Sequence, residues 1–305
     1  MFKCLPQTSL GVYPLCLGGN VFGYSADKDN SEAVLTFYAD KGGNFIDTAD
    51  MYSQWAPGHI GGESETIIGN WMKKRGNRDQ MIIATKVGKL DTKPGLSPSN
   101  IISACEDSLK RLGSDYIDIY YSHQDDLDTP IEQSLGAYDS LIRSGKVRYI
   151  AASNFTPERL QESLDISKEL SLASYIASQD QYNLMEREYE STLRDVLEKN
   201  NLSQIPFNGL ARGFLTGKYR PGTSVESVRA TGVSNAYGNE RGWTMLEKLD
   251  QIAKERKTSI ASISLAWLRA QRTVAAPIAS ATKLEQIKEI MPIVELNKEE
   301  LALLS

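Results

Sequence analysis

The chain has 305 residues, 41% of them apolar, and a formal net charge of −5 without long charged runs. That balance excludes a surface built chiefly for nucleic acid or anionic membrane, and no stretch of about 18 apolar residues is present to form a transmembrane helix. Cys4, Cys16 and Cys105 show no paired spacing and no signal-peptide core precedes them, so free thiols in a reducing cytoplasm are expected.

Taken in order, residues 1–16 read as a small β-hairpin with Ser9-Leu10-Gly11 near the turn, a plug or lid outside the main pattern. Leu15 to Asn20 follows as a buried strand running into glycines. Strands and helices then alternate. The pattern predicts a helix over 31–41 with Ser31 as its N-cap, a strand over 44–48, a helix over 63–75 stopped by Gly76, and a strand over 81–86. Ser97 opens the next helix, Pro98 sits in its first turn and Gly113 closes it. Strands are predicted over 116–123, 147–153, 174–179, 202–207 and 273–278. Helices are predicted from Thr129-Pro130 to near Gly145, from Thr156-Pro157 to about 170, and over 188–200, 241–257, 258–271, 283–290 and 298–304. The segment 220–240 is long, polar and rich in Gly, Ser and Thr, which suits a lid or mobile segment. Such alternation implies a parallel sheet with right-handed crossovers. Eight units predict a closed (β/α)8 TIM barrel of one domain over 1–305, with an N-terminal β-hairpin and extra helices near the C-terminus. A doubly wound sheet would want Gly-x-Gly-x-x-Gly after its first strand, and that motif does not occur.

In such a barrel the strands' C-terminal ends carry the site. Asp47, Lys86 and His123 end successive strands, and Tyr52 lies in the loop just beyond one of them. Taken singly, Asp47 and Lys86 read as an ion pair and His123 as a core histidine. Together they bring a carboxylate, an ammonium, an imidazole and a phenol to one bowl. A phenol near pKa ~10 is a poor acid at neutral pH, and an adjacent ammonium is expected to lower that value. Asp47 would hold Lys86, and His123 would hydrogen-bond the phenol or a substrate oxygen. The set suits proton transfer in carbonyl chemistry. Two histidines far apart in sequence leave no metal site to expect.

With these residues in place, the chain resembles the aldo-keto reductases, NAD(P)-dependent oxidoreductases on a (β/α)8 barrel, over nearly its whole length. The resemblance is carried by Leu17-Gly18-Gly19-Asn20, Asp47-Thr48-Ala49 with Tyr52, Thr85-Lys86, His123, the run from Gly145 to Phe155, and Gln179 with Tyr182-Asn183. Ala211 to Lys218 and Leu265-Ala266-Trp267-Leu268 complete it. It implies Tyr52 as general acid, supported by Lys86, Asp47 and His123. It implies Ser153, Asn154 and Gln179 on the nicotinamide carboxamide, and Phe207, commonly Tyr in the family, stacked on the nicotinamide. Leu210, Arg212, Leu215, Gly217 and Lys218 match the loop over the pyrophosphate. Ser280, Thr282, Lys283 and Gln286 fall in the adenosine phosphate segment, and Gly19 and Asn20 join the cofactor set. Asn208 and Gly209 depart from the usual serine and proline, and Ile290 from a polar adenine contact. Lys283 is a cation for a 2′-phosphate, so NADPH is expected over NADH.

Substrate would be a small carbonyl compound. Trp55 and Phe22 are expected to wall its pocket, with Asn20, Val21 and Tyr24 nearby. The chain ends soon after 298–304, so the pocket is expected to be open and permissive, for sugar-derived or aromatic aldehydes. A cofactor-binding regulatory subunit of a membrane channel is the alternative the resemblance leaves open; no extra N-terminal segment for engaging such a partner is read.

Overall fold

The computed structural model describes residues 2–225 and 230–305. Eight parallel strands make one curled sheet. They are β1 (Cys16–Gly18), β2 (Phe45–Asp47), β3 (Ile82–Val87), β4 (Ile117–Ser122), β5 (Val147–Ser153), β6 (Tyr175–Gln179), β7 (Ser203–Gln204) and β8 (Ile278–Ala279). Neighbours pair in chain order, and β8 pairs with β1, Ile278 opposite Cys16. The last seam is closed by single bonds: Gln204 N–H donates to Thr273 O at 2.9 Å, Ala275 N–H to Gln204 O at 2.9 Å, and Ile278 N–H to Pro206 O at 2.8 Å. The result is a (β/α)8 barrel. The strands expected over 202–207 and 273–278 shrink at this seam. Pro206 and Pro277 have no N–H to give, which interrupts a regular ladder.

Helices α1 (Lys28–Asp40), α2 (Glu63–Arg75), α3 (Pro98–Leu112), α4 (Ile131–Arg143), α5 (Pro157–Leu170) and α6 (Leu193–Asn200) follow the first six strands. Three more, α7 (Ala230–Tyr237), α8 (Glu240–Arg256) and α9 (Ile260–Arg269), fill the interval before β8, and α10 (Leu284–Ile290) and α11 (Lys298–Leu304) come after it. α1 starts before the expected Ser31. Asp27 caps it, Oδ1 accepting from Asn30 N at 2.8 Å, while buried Ser31 gives its hydroxyl to Asp27 O at 2.6 Å. Helix α7 was not foreseen in 220–240. Its Val233 and Tyr237 are buried, and Tyr237 donates to Glu186 Oε1 at 2.8 Å. The part of the expected lid at 226–229 lies outside the described residues.

Strand geometry explains where the polar residues fall. Successive side chains alternate faces, and the inward set begins apolar and ends polar. Phe45 leads to Asp47, Ala84 to Lys86, Ala151 to Ser153, and Ala177 to Gln179, each first member lying in the barrel's inner cluster. Residues one position off, such as Ile46, Ile83 and Tyr120, belong instead to the layer between sheet and helices. A one-residue slip would therefore exchange core and site.

The N-terminal hairpin pairs Lys3–Cys4 with Gly11–Val12. Its Leu5, Leu10 and Val12 are buried against Phe45 and Ile82 at the strand starts. Asn44 pins it, accepting from Tyr13 N at 2.8 Å and donating to Gly11 O at 2.9 Å. The hairpin is a plug for one barrel end, and a cleft opens at the opposite end. Among the described residues no helix is long and apolar enough to cross a membrane.

Candidate active site

The floor of the open end is a closed set of hydrogen bonds. Lys86 Nζ donates to Asp47 Oδ2 at 2.7 Å, Thr48 O at 2.8 Å and Tyr52 Oη at 2.8 Å. Tyr52 Oη–H reaches Asp47 Oδ2 at 3.1 Å, and Gln179 Nε2–H reaches Asp47 Oδ1 at 2.9 Å. The Lys86 side chain is wholly buried and that of Asp47 nearly so. Two opposite charges in such a place must satisfy each other and their remaining donors and acceptors, and here the lysine's three bonds use all three ammonium hydrogens. Burial lowers the Lys86 ammonium pKa, with Asp47 pulling it back.

Tyr52 corrects one expectation. Its phenol is pushed well above its ordinary value, by burial first and then by the Asp47 charge and hydrogen bond. The neighbouring ammonium does not lower it on balance, because burial and the Asp47 carboxylate outweigh it. The phenol is therefore held as O–H. The ring of His123 meets that of Tyr52 edge-on, centroids 6.1 Å apart. Burial, then the charges of Lys86 and Lys89, drive the imidazole pKa well below its ordinary value. The histidine stands neutral.

A cleft of about 930 Å³ opens above this floor. Asp47, Tyr52, Trp55, His123, Ser153 and Asn154 line one end, with Gln179 and Phe207 beside them. Asn154 has a left-handed backbone (φ 58°). That conformation turns its amide so that Nδ2 donates to His123 O at 2.9 Å and to Ser153 Oγ at 2.9 Å. Its own N–H is taken by Asp180 Oδ1 at 3.1 Å. The cap of α5 is Thr156, whose hydroxyl accepts from Arg159 N at 3.2 Å, so Ser153 and Asn154 are spared for the cleft.

Farther along, Leu210, Arg212, Gly217 and Lys218 line the trough. Asn208, Ala211, Arg212, Gly213 and Gly217 all have positive φ, which curls the segment tightly along the trough; Ala211 N–H is taken by Asn208 O at 2.7 Å and Gly213 N–H by Leu210 O at 2.8 Å. The departures at 208–209 have a local reason. Asn tolerates the left-handed conformation, and a Cβ at Gly209 would come to 3.0 Å from Leu268 Cδ1 and 3.2 Å from Ile278 O. Asn20, Ser280, Thr282, Lys283 and Gln286 line the distal end. Ser280 Oγ–H donates to Asn20 Oδ1 at 2.6 Å, and Gln286 Oε1 accepts from Thr282 N at 2.8 Å.

Five expected residues are not on the cleft wall: Lys86 (buried beneath it), Tyr24, Phe22, Leu215 and Gly19. Phe22 is fully buried in the core layer, so it is no substrate wall. Leu215 is likewise buried, and Gly19 is held by its N–H to Asp47 O at 2.7 Å. A Cβ on Gly19 would stand 2.7 Å from Ser64 Oγ, so that glycine serves close packing beneath the cleft. Sequence reasoning missed Lys89 and Glu289, which do line it. Lys89 follows Gly88 directly after β3, and that Gly-Lys step at a strand end was the available signal. Of the described 220–240 residues, none lines the cleft. Among the described residues no cluster of three metal-ligating side chains gathers.

A parallel barrel that closes one end with a hairpin and gathers buried charge under a trough at the other has the architecture of an oxidoreductase class rather than of a single enzyme. The chain belongs to the aldo/keto reductase family, which matches residues 14–305. It is 32% identical to the uncharacterized oxidoreductase YrpG of Bacillus subtilis (strain 168), over 100% of this chain and 94% of that one. It is 31% identical to L-glyceraldehyde 3-phosphate reductase of Escherichia coli (strain K12), over 93% and 83%. A probable voltage-gated potassium channel subunit beta of Oryza sativa subsp. japonica is 30% identical, over 97% and 91%.

Proposed function

We propose that the protein reduces aldehydes and ketones to alcohols with NADPH in the cytoplasm, Tyr52 acting as the general acid. The observation that carries this reading is the Tyr52 hydroxyl, held between Lys86 Nζ at 2.8 Å and Asp47 Oδ2 at 3.1 Å on the cleft floor. The donor set along the trough suits a dinucleotide. Ser153, Asn154 and Gln179 would hold the carboxamide, and Phe207 would lie against the nicotinamide face. The left-handed turn around Arg212 and Gly213 would take the pyrophosphate, with Leu210, Gly217 and Lys218 beside it. Asn20, Ser280, Thr282 and Gln286 would hold the adenosine end, and Lys283 would meet the 2′-phosphate that separates NADPH from NADH. The bound cofactor supplies a hydride to the carbonyl carbon.

The chain's own residues handle the oxygen. Tyr52 donates its proton to the oxygen as negative charge builds there. Lys86 stands ready to stabilise the phenolate that results, and Asp47 keeps the ammonium in place. Neutral His123 offers a hydrogen bond to the same oxygen without a competing positive charge. Trp55 walls the substrate side. The name of the Escherichia coli relative supports a reductase.

The test is NADPH absorbance decay with a reactive aromatic aldehyde, beside NADH and a Tyr52→Phe variant. Loss of about 10²–10⁴-fold in turnover, with NADPH binding intact by fluorescence, is expected. Retained turnover would sink the proton-donor role. The rice relative's name favours a second reading, a cofactor-binding channel subunit. Co-purification of a membrane partner with negligible turnover would select it.

A further inference from the structure

Lys89 begins a short antiparallel turn, Lys89–Leu90 against Lys93–Pro94, immediately after β3. Gln54 ties this turn to the loop that carries Tyr52 and Trp55. Its Nε2 donates to Lys89 O at 3.4 Å and Asp91 Oδ1 at 3.3 Å, and its Oε1 accepts from Asp91 N at 3.1 Å. The turn is thus fixed to the catalytic floor rather than left free, and the Lys89 side chain lines the cleft.

The charge it brings there is not balanced. Burial lowers its ammonium pKa, the Lys86 charge lowers it further, and among the described residues no carboxylate acts against them. Three acids of this region are engaged elsewhere: Asp91 with Gln54, Asp47 with Lys86, and Asp107 with Lys93 at 2.6 Å. Lys89 also helps to depress the His123 pKa, which places it at the Tyr52 end of the cleft. A partly buried cation without a counter-ion has lost solvation and regained nothing, so an arriving anion gains a charge-assisted bond there. Trp55, the residue after Gln54, lines the same cleft and presents an exposed ring, braced edge-on by Tyr24 with centroids 6.0 Å apart.

We propose that Lys89 selects substrate: the preferred carbonyl compounds carry a carboxylate or phosphate a short apolar spacer away from the carbonyl, the spacer lying on Trp55 and the anion on Lys89. This rests on the reductase reading. A hydrogen bond to a charged group is worth roughly 1.5–3 kcal/mol, or about 10- to 100-fold.

The experiment compares kcat/KM for two matched pairs, 4-carboxybenzaldehyde against methyl 4-formylbenzoate and 4-formylphenyl phosphate against 4-methoxybenzaldehyde. The natural chain is expected to favour at least one anion of these pairs by about tenfold or more, and the pair that shows it separates carboxylate from phosphate. Lys89→Gln should collapse that ratio towards one, while Lys89→Arg keeps most of it. Equal rates within both pairs, or a ratio unchanged in Lys89→Gln, overturn the proposal. If no aldehyde is reduced at all, the reductase reading fails instead. Calorimetric binding of 4-(hydroxymethyl)benzoate then decides the anion site. Weaker binding by about tenfold in Lys89→Gln upholds it. No binding, or binding indifferent to Lys89, removes it.

Discussion

The two ends of this barrel are made from the same strands and finished in opposite ways. At the strand starts, Leu5, Leu10 and Val12 of the hairpin close the axis with apolar contact. At the strand ends, two residues along the same inward faces, the axis holds Asp47, Lys86 and Gln179 in a bonded set. Apolar burial is additive and forgiving of small changes. Buried charge is neither, since removing one partner leaves the other dehydrated and unpaired. The plug therefore supplies stability, while the floor holds reactive groups at the cost of fragility.

The sharpest break of that contrast is Lys86→Met. It leaves Asp47 with only Tyr52 and Gln179 as donors and no cation. A loss of about 3–5 kcal/mol in unfolding free energy is expected, read by urea titration. Turnover should fall by at least about 10²-fold, because the phenolate left after proton donation loses its ammonium. A variant as stable as the natural chain would mean that Asp47 had taken up a proton, and that the floor tolerates a neutral pair.

Much of this was legible in the sequence because it depends on period and punctuation. The strand ends at Asp47, Lys86, Ser153 and Gln179 follow from apolar runs that stop at a polar residue, and helix α3 from Ser97, Pro98 and Gly113. The seam around β7 and β8 was read too long, because apolar runs do not report where Pro206 and Pro277 break the ladder. Phe22 was misplaced because a residue just past a strand can turn either way: its carbonyl accepts from Ser53 Oγ at 2.9 Å and its ring goes inward. Lys89 was marked only by the Gly88-Lys89 step after β3, because its placement depends on the Gln54 bridge, a contact between segments 35 positions apart. The Tyr52 phenol shift was misjudged because neighbour identity reveals the charges but not the burial that outweighs them.

Asp50 sharpens the contrast within the open end. It lies three positions beyond Asp47 and is equally buried, yet among the described residues neither carboxylate oxygen has a well-formed hydrogen bond. Burial and the Glu65 charge push it up to about 7, against opposition from Arg111 and Lys86. A carboxyl raised in the folded state favours folding in acid and loses that advantage as pH rises through the folded value. The cost should therefore grow between about pH 4 and 7, reaching roughly 4 kcal/mol at pH 8. Asp50→Asn is expected to raise stability by that order at pH 8 and by only about 1.5 kcal/mol at pH 5. Asp180, raised to about 6 by burial, acts with the same sign, so some slope remains in the variant. Melting temperatures across pH 5–8 decide it; parallel curves for the two proteins would show that Asp50 finds a partner in solution.

The smallest effect belongs to the plug. Leu10 is 4% exposed and packs in the inner cluster, while its carbonyl takes the Leu5 N–H at 3.0 Å. Leu10→Ala keeps that backbone bond and removes only apolar volume. A loss of about 2–3 kcal/mol is expected, towards the lower part of the usual range because a two-stranded hairpin can settle into the space more readily than a strand of the barrel. Turnover at saturating substrate should stay at the natural level, since the apolar layer of Phe45, Ala84 and Ala151 stands between Leu10 and the charged floor. The pair of readings matters more than either alone. Stability lost with turnover kept makes the two ends independent. Turnover lost in proportion to stability would mean that the plug sets the height of the strands, and through them the 2.8 Å contact between Lys86 and Tyr52.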